Sequence, residues 1–179
     1  TITKGYYHRD AANKEAFTED GFFRTGDAGY IKDGELFLTD RIKDLFKTSN
    51  GKYIAPQLVE SLILVDKYID QVAVIANERK FVSALIVPEF RLVEDWAKEH
   101  GIEFSSREDL CANQKVNKMI LDRIKTLQQQ LAHYEQVKRI TLIPHHFSLE
   151  SGELTNTLKI RRPVVYKNYK NEIDKMYEE

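Results

Sequence analysis

Two short apolar runs, Gln71–Ala76 and Phe81–Val87, flank the polar turn Asn77-Glu78-Arg79-Lys80. Both are rich in Val, Ile and Ala and too short for helices, so they predict paired strands buried on at least one face. Beyond them the period lengthens. Leu92, Val93, Trp96 and Ala97 stand at helical spacing within Arg91–His100, and Gly101 supplies the stop. Ser106 is placed to cap a short helix through Leu110, with Asp109 at the third position of a capping box. Val116, Met119, Ile120, Ile124, Leu127 and Leu131 mark one face of a long amphipathic helix, which includes Gln128-Gln129-Gln130 with two of the three facing solvent. Gln136–Ile143 predicts a third strand closed by Pro144, and Val164–Tyr177 a C-terminal helix started by Pro163.

The N-terminal quarter has a different texture. Thr1–Tyr7 reads as extended and Asp10–Phe17 as a short helix with Asp10 as its N-cap. A turn follows at Thr18-Glu19-Asp20-Gly21. From Gly21 to Glu60 the pattern is short strands and tight turns. Asp33-Gly34 between Ala28–Lys32 and Glu35–Thr39 is a strong hairpin signal, because a two-residue turn wants positive φ. Asn50-Gly51 repeats it between Leu45–Thr48 and Lys52–Ile54. Pro56 suits a first helical position, where its missing N–H costs nothing, and Gln57–Leu64 continues as helix. The simplest layered solution is an α+β fold, a small domain with a central sheet of about three strands flanked by helices plus a β-hairpin.

Composition narrows the function. Hydrophobic residues make up 42% of the 179 positions, enough for a core, and the 31% of charged residues balance to a formal net charge of −1. That balance argues against a general nucleic-acid binder, which needs a basic field. A single cysteine, Cys111, excludes an intramolecular disulfide and a thiolate zinc cluster. Adjacent histidines such as His145-His146 rarely present both rings to one metal, and no carboxylate cluster supports them, so no metal site is expected. No apolar run approaches the length of a membrane span and no signal-peptide pattern opens the chain. The chain therefore reads as a fragment of a cytoplasmic protein, with peripheral membrane association left open.

Charge is concentrated locally. Thr39-Asp40-Arg41-Ile42-Lys43-Asp44 places four charges in six residues, a poor core and a good surface for a polyphosphate, a nucleotide or a domain boundary. Lys159 lies between Gly152 and Pro163, beside Ile160, Arg161 and Arg162. The plain reading of Lys159 is a solvated lysine, of Asp27 a turn aspartate, and of Arg41 a surface salt bridge with Asp40 or Asp44.

Phe23-Arg24-Thr25-Gly26-Asp27, Thr39-Asp40-Arg41-Ile42-Lys43-Asp44, Gly51-Lys52-Tyr53-Ile54-Ala55-Pro56 and Gly152-Glu153-Leu154-Thr155-Asn156-Thr157-Leu158-Lys159 resemble, in order and spacing, consecutive motifs of the adenylate-forming acyl-CoA synthetases. The wording is closest to the long-chain fatty-acid branch, and Lys4-Gly5-Tyr6-Tyr7 resembles part of a further motif. The resemblance implies that positions 1–42 end a large N-terminal domain, the rest of which is missing, and that 43–179 form the C-terminal mobile domain. It implies a ligase that joins a fatty acid to CoA at the expense of ATP with Mg²⁺, by way of an acyl-AMP. By the same resemblance Lys159 is catalytic, contacting the substrate carboxylate and α-phosphate region. Asp27 accepts hydrogen bonds from the ribose hydroxyls, and Arg41 meets the ribose and phosphate side of the nucleotide. Lys43 is the hinge, and Gly51 lines the pantetheine tunnel, a role compatible with its use as a turn glycine. Asn156 departs from the family's usual proline, a change expected to loosen the loop. Arg161-Arg162 reads equally as a contact for cofactor phosphates or as a solvated basic turn. Another adenylate-forming ligase, for aryl acids or amino acids, and a non-catalytic binding module that kept the fold remain as rival readings. As part of a fatty-acid–CoA ligase, the fragment is expected to fold but to be inactive alone.

Overall fold

The computed structural model describes residues 3–178, so positions 1 and 2 of the expected extended segment lie outside the described residues. Internal contacts divide the chain after Asp44 into two compact units.

The first unit contains helix α1 (Asp10–Ala16) and an antiparallel hairpin of β1 (Asp27–Lys32) and β2 (Glu35–Arg41). Asp10 is already helical, and the cap position falls on Arg9 without a side-chain bond. The expected Asp10 cap is thereby corrected: its carboxylate serves as a first-turn acid near the positive end of the helix. Phe17 leaves the helix in extended conformation and bridges Phe23. Asp33 and Gly34 take φ values of 54° and 84°, the left-handed pair that a two-residue hairpin turn requires. A bulge between Ala28 and Gly29 brings the strands close, and a Cβ on Gly29 would stand 2.5 Å from the Phe37 carbonyl oxygen. Glycine is required there by contact.

The second unit begins with a small hairpin, β3 (Phe46–Lys47) and β4 (Tyr53–Ile54), and α2 (Pro56–Ile63), which Pro56 opens. Its sheet is formed by β5 (Ile69–Ile75), β6 (Val82–Pro88) and β7 (Val137–Leu142), in the order β5-β6-β7. β5 and β6 are antiparallel, whereas β6 and β7 are parallel, joined by a crossover of α3 (Phe90–Glu99), α4 (Arg107–Ala112) and α5 (Gln114–Leu127). All seven residues of β6 are buried, as befits a central strand covered on both faces. α2 packs on β5, α5 packs on β7, and the two helices touch each other. This is the expected α+β architecture with a three-stranded sheet.

Local signals account for most boundaries. Gly101 (φ 65°) closes α3 in a Schellman motif, with the Ile102 N–H donating to the Ala97 carbonyl and the Gly101 N–H to that of Lys98. Ser106 accepts from the Asp109 N–H at the start of α4, while the Asp109 carboxylate reaches the N–H of Ser105 instead of completing the box on Ser106. Asn113 caps α5 through the N–H groups of Lys115 and Val116.

Three expectations are corrected. The long helix stops at Leu127 and tightens into a 3-10 turn over Gln128–Gln130, where Gln128 is 2% exposed. Its amide donates to the Val137 carbonyl at 2.9 Å and accepts the Val137 N–H at 2.8 Å, as a neighbouring strand would. Leu131 consequently falls outside the helix. The second hairpin forms between the expected flanks, but its turn is a three-residue loop and not a two-residue one, with only Gly51 at positive φ (75°) and paired bonds between Thr48 and Lys52. The C-terminal helix is broken into α6 (Arg162–Asn168) and α7 (Lys170–Lys175). At the break, Asn168 donates to Glu153 and the Tyr169 ring packs edge-on against Phe147, contacts that outweigh a continuous helix. Tyr177 packs its ring against Phe81, and its hydroxyl lies within hydrogen-bonding distance of Ser83 Oγ and the Ile75 and Phe81 carbonyls.

Candidate active site

Asp27 and Arg41 stand at the open end of the β1–β2 hairpin as cross-strand partners, with Arg41 Nε 2.9 Å from Asp27 Oδ1. Register brings them together, since a pair directly opposite in an antiparallel ladder has adjacent side chains. Gly26, at φ 77°, turns the chain into β1, and the Asp27 N–H is held by Thr25 Oγ1 at 3.1 Å. The plain expectation that Arg41 pairs with Asp40 or Asp44 is corrected. Asp40 is buried, and its carboxylate accepts the backbone N–H of Arg41 at 2.8 Å, leaving the guanidinium for Asp27.

Arg41 and Lys43 also line a broad open groove of about 1090 Å³, together with Tyr6, Tyr7, Arg9 and Arg24. Glu15 and Asp44 share the lining, so cations outnumber carboxylates four to two, and with the two phenol rings the concavity suits an anion that carries a ring system. Lys43 lies exposed in the 3-10 turn Ile42–Asp44, at the sequence position where the two units divide. Solvated charge and a short turn leave its backbone free of core packing.

In the second unit Gly51 and Lys159 occupy the tips of two separate hairpins. A Cβ on Gly51 would meet nothing within 4 Å. Its positive φ, and not crowding within this unit, is what calls for glycine. Lys159 sits on a turn closed by Leu154 and Ile160, which bridge antiparallel. The Thr155 N–H donates to the Lys159 carbonyl at 2.8 Å, the Leu158 N–H to the Thr155 carbonyl at 2.8 Å, and the Lys159 N–H to Thr155 Oγ1 at 3.1 Å. Thr155 thus closes the turn around Asn156. Leu158 pays for the geometry with a φ of 59° while its side chain is 69% exposed. Among the described residues the Lys159 ammonium has no partner, so its charge is available to an incoming anion.

Arg161 and Arg162 part company: Arg161 is exposed, as a solvated basic turn expects, whereas Arg162 is largely buried and paired. Arg162 forks onto Glu60, Nη1 to Oε1 at 2.7 Å and Nη2 to Oε2 at 2.9 Å. Glu60 Oε1 also accepts the Val74 N–H at 2.9 Å. The sequence marked Arg162 as part of a basic pair but gave no sign of Glu60, because an arginine beside another arginine and a proline looks the same whether solvated or paired. Cys111 is buried, and burial pushes its thiol up to about 12, too high for a nucleophile near neutrality. His145 and His146 turn to different carboxylates, Glu108 at 3.7 Å and Asp70 at 3.3 Å. Among the described residues no three His, Cys, Asp or Glu side chains converge to hold a metal ion, and no helix is long and apolar enough to cross a membrane.

Residues 43–179 match the family described as AMP-binding enzyme C-terminal domain, and the chain belongs to that family. Among curated proteins it is 37% identical over 180 residues to Long-chain-fatty-acid–CoA ligase 1 of Homo sapiens, covering 98% of this chain and 26% of the relative. Long-chain-fatty-acid–CoA ligase 1 of Schizosaccharomyces pombe is 36% identical, with 100% and 27% covered. The chain thus spans about a quarter of the length of the curated relatives it matches. Among solved structures, the adenylation domain of a carboxylate reductase from Mycobacterium chelonae superposes with a TM-score of 0.71 at 25% identity, covering 97% of this chain and 26% of that one. A carboxylic acid reductase adenylation domain from Segniliparus rugosus, in complex with AMP and a co-purified carboxylic acid, gives 0.71 at 25%, with 98% and 26% covered.

Proposed function

We propose that this chain is the C-terminal part of an ATP-dependent long-chain fatty-acid–CoA ligase. In the first half-reaction a carboxylate oxygen of the fatty acid attacks the α-phosphorus of ATP, the bond to pyrophosphate breaks, and acyl-AMP forms. In the second the CoA thiol attacks the acyl carbon and AMP leaves. Little covalent chemistry falls to the protein; its task is to orient the reactants and stabilise charge. The single observation that carries the reading is Lys159: an unpaired ammonium on a closed, side-chain-braced turn, in a chain of this family. There it would offset negative charge where the carboxylate meets the α-phosphate.

The other roles follow the same reading. Asp27 would accept from the ribose hydroxyls, a task for a carboxylate with several acceptor sites, and Arg41 would meet the ribose and phosphate side. Lys43 would be the hinge between positions 1–42 and the mobile domain 43–179, absorbing a change of φ and ψ while remaining solvated. Gly51 would border the path of the CoA pantetheine arm. Mg²⁺ would arrive with ATP; the described residues offer no ligand set for it, and no step is assigned to it. A cytoplasmic location completes the reading, and a fluorescent fusion of the full-length protein tests it.

Activation of a carboxylate as its adenylate is common to this reading and to the carboxylic acid reductase domains named above, so the acceptor of the acyl group is the point to test. The experiment is Lys159→Ala in the full-length protein, with acyl-AMP formation and thioester formation from supplied acyl-AMP assayed separately over acids from acetate to palmitate. A ligase of this kind loses the first activity far more than the second, with turnover greatest for long acids. Equal loss of both, or no turnover of any acid by the parent protein, overturns the assignment.

A further inference from the structure

We propose that the Glu60–Arg162 ion pair is a positioning brace that ties the Lys159 hairpin to the Gly51 hairpin. Arg162 follows Lys159 by three positions and opens α6, where the outgoing arm of the Lys159 turn enters the core. Its guanidinium forks onto Glu60, and the two side chains are only 18% and 11% exposed. The same guanidinium lies 5.1 Å from the centroid of the Phe46 ring. Phe46 begins β3, the first arm of the hairpin that carries Gly51, and pairs with Ile54 in β4. Glu60 stands on α2, which leaves β4 through Pro56. One arginine therefore meets the first strand of the Gly51 hairpin and the helix that follows its second.

The incoming arm of the Lys159 hairpin is fastened separately. Glu153, 3% exposed, accepts from Ser151 Oγ at 2.6 Å and Asn168 Nδ2 at 3.0 Å, and its carbonyl accepts the Arg161 N–H at 2.7 Å. The contrast along the hairpin is the point: an unpaired, exposed lysine at the tip and buried, fully engaged carboxylates at the base. Stability alone is a weak reason for a buried ion pair, because apolar side chains of the same volume often serve as well. A planar fork fixes direction, which a point charge does not. Charged groups that must meet a reacting centre depend on supporting contacts of this kind, since a small misplacement costs rate steeply.

The catalytic consequence rests on the function proposed above; the mechanical coupling does not. The test uses full-length protein with Arg162→Lys and, separately, Phe46→Leu. Amide exchange is followed by mass spectrometry over residues 46–54 and 153–161, with 116–124 of α5 as the reference. Both variants are expected to speed exchange in both hairpins by about tenfold or more, the factor that loss of one charge-assisted bond implies, and to leave α5 unchanged. The kcat of acyl-AMP formation is expected to fall roughly tenfold to a hundredfold, with KM for ATP held within about twofold. Exchange that rises only in the substituted hairpin, or equally in α5, overturns the brace. Loosened hairpins with an unchanged kcat overturn its positioning role. Should Arg162→Lys fail to fold, Phe46→Leu decides, because its ring meets the Arg162 guanidinium while the α5 reference reports any general loosening of the core that Phe46 shares with Leu154 and Ile160. If the parent protein forms no acyl-AMP, the proposed function fails while the exchange measurement still decides the brace.

Discussion

Asp27 and Arg41 face each other across the first hairpin and meet through one contact of 2.9 Å, with the arginine side chain 64% exposed. An ion pair so open to water contributes little to stability, about 0–1 kcal/mol. A nucleotide that replaces that water would gain from the same two charges. Asp27→Asn is therefore expected to leave the melting temperature close to the parent's while kcat/KM for ATP falls by about tenfold. A large drop in melting temperature with unchanged kinetics would make the pair a hairpin contact and nothing more.

Gln128 performs a structural task that is separable from catalysis. Replacing it by Leu leaves both the N–H and the carbonyl of Val137 without their side-chain partner in a buried setting. The expected cost is about 2–4 kcal/mol, read as a lower urea midpoint of this chain followed through its single tryptophan, Trp96. An unchanged midpoint would mean that the strand edge finds other partners.

Leu158 offers a gain. A non-glycine residue in the left-handed region costs roughly 1–3 kcal/mol, and here the side chain is exposed and returns little. Glycine relieves the strain and loses part of the benefit through the greater freedom of the unfolded chain. Leu158→Gly is expected to raise stability by up to about 1 kcal/mol in the same urea assay. Destabilisation would show that the leucine side chain supports the turn.

Alkaline pH should weaken the second unit. Burial raises Cys111 from 9.0, and Tyr169 and Tyr177 from 10.0, each to about 12. Between the ordinary and the raised values the folded chain holds protons that the unfolded chain has released, so stability falls as pH rises. The loss begins near pH 9, as the unfolded thiol ionises, and steepens above 10. Urea midpoints measured across this range should decline, and Cys111→Ala should flatten the earliest part of the decline.

The elements that local chemistry determines are legible in the sequence. Asp33-Gly34, Gly101 after α3, Ser106, and Pro56 each act within a few residues, and each sits where the pattern put it. The departures have one physical origin, partners far away in sequence. Two of the three glutamines at 128–130 face solvent as expected, but which one turns inward is set only when Val137 folds back onto Gln128. Arg162 looks like half of a basic turn until Glu60, 102 positions earlier, reaches it. Asn168 and Tyr169 end α6 because Glu153 and Phe147 hold them. For the candidate site the turns at Gly51 and Lys159 were visible as turns, and the Asp27–Arg41 pairing follows once the hairpin register is known. The buried support beneath Lys159 was not visible, since charge on a sequence carries no record of burial.

The parallel pairing of β6 with β7 imposes an order of assembly. β5 and β6 join through a short turn and can zip together from neighbouring residues, whereas β7 must wait until residues 89–136 have collapsed into α3, α4 and α5 and closed a long loop. The edge of the sheet formed by β7 is then the last to register during folding. Arg139, on that edge, donates to the carbonyls of Met176 and Glu178, so the end of the chain can be fastened only after this late strand has arrived. Early during synthesis, the unit would exist as a two-stranded nucleus with its third place empty, filled only when α3, α4 and α5 have formed and β7 has emerged behind them.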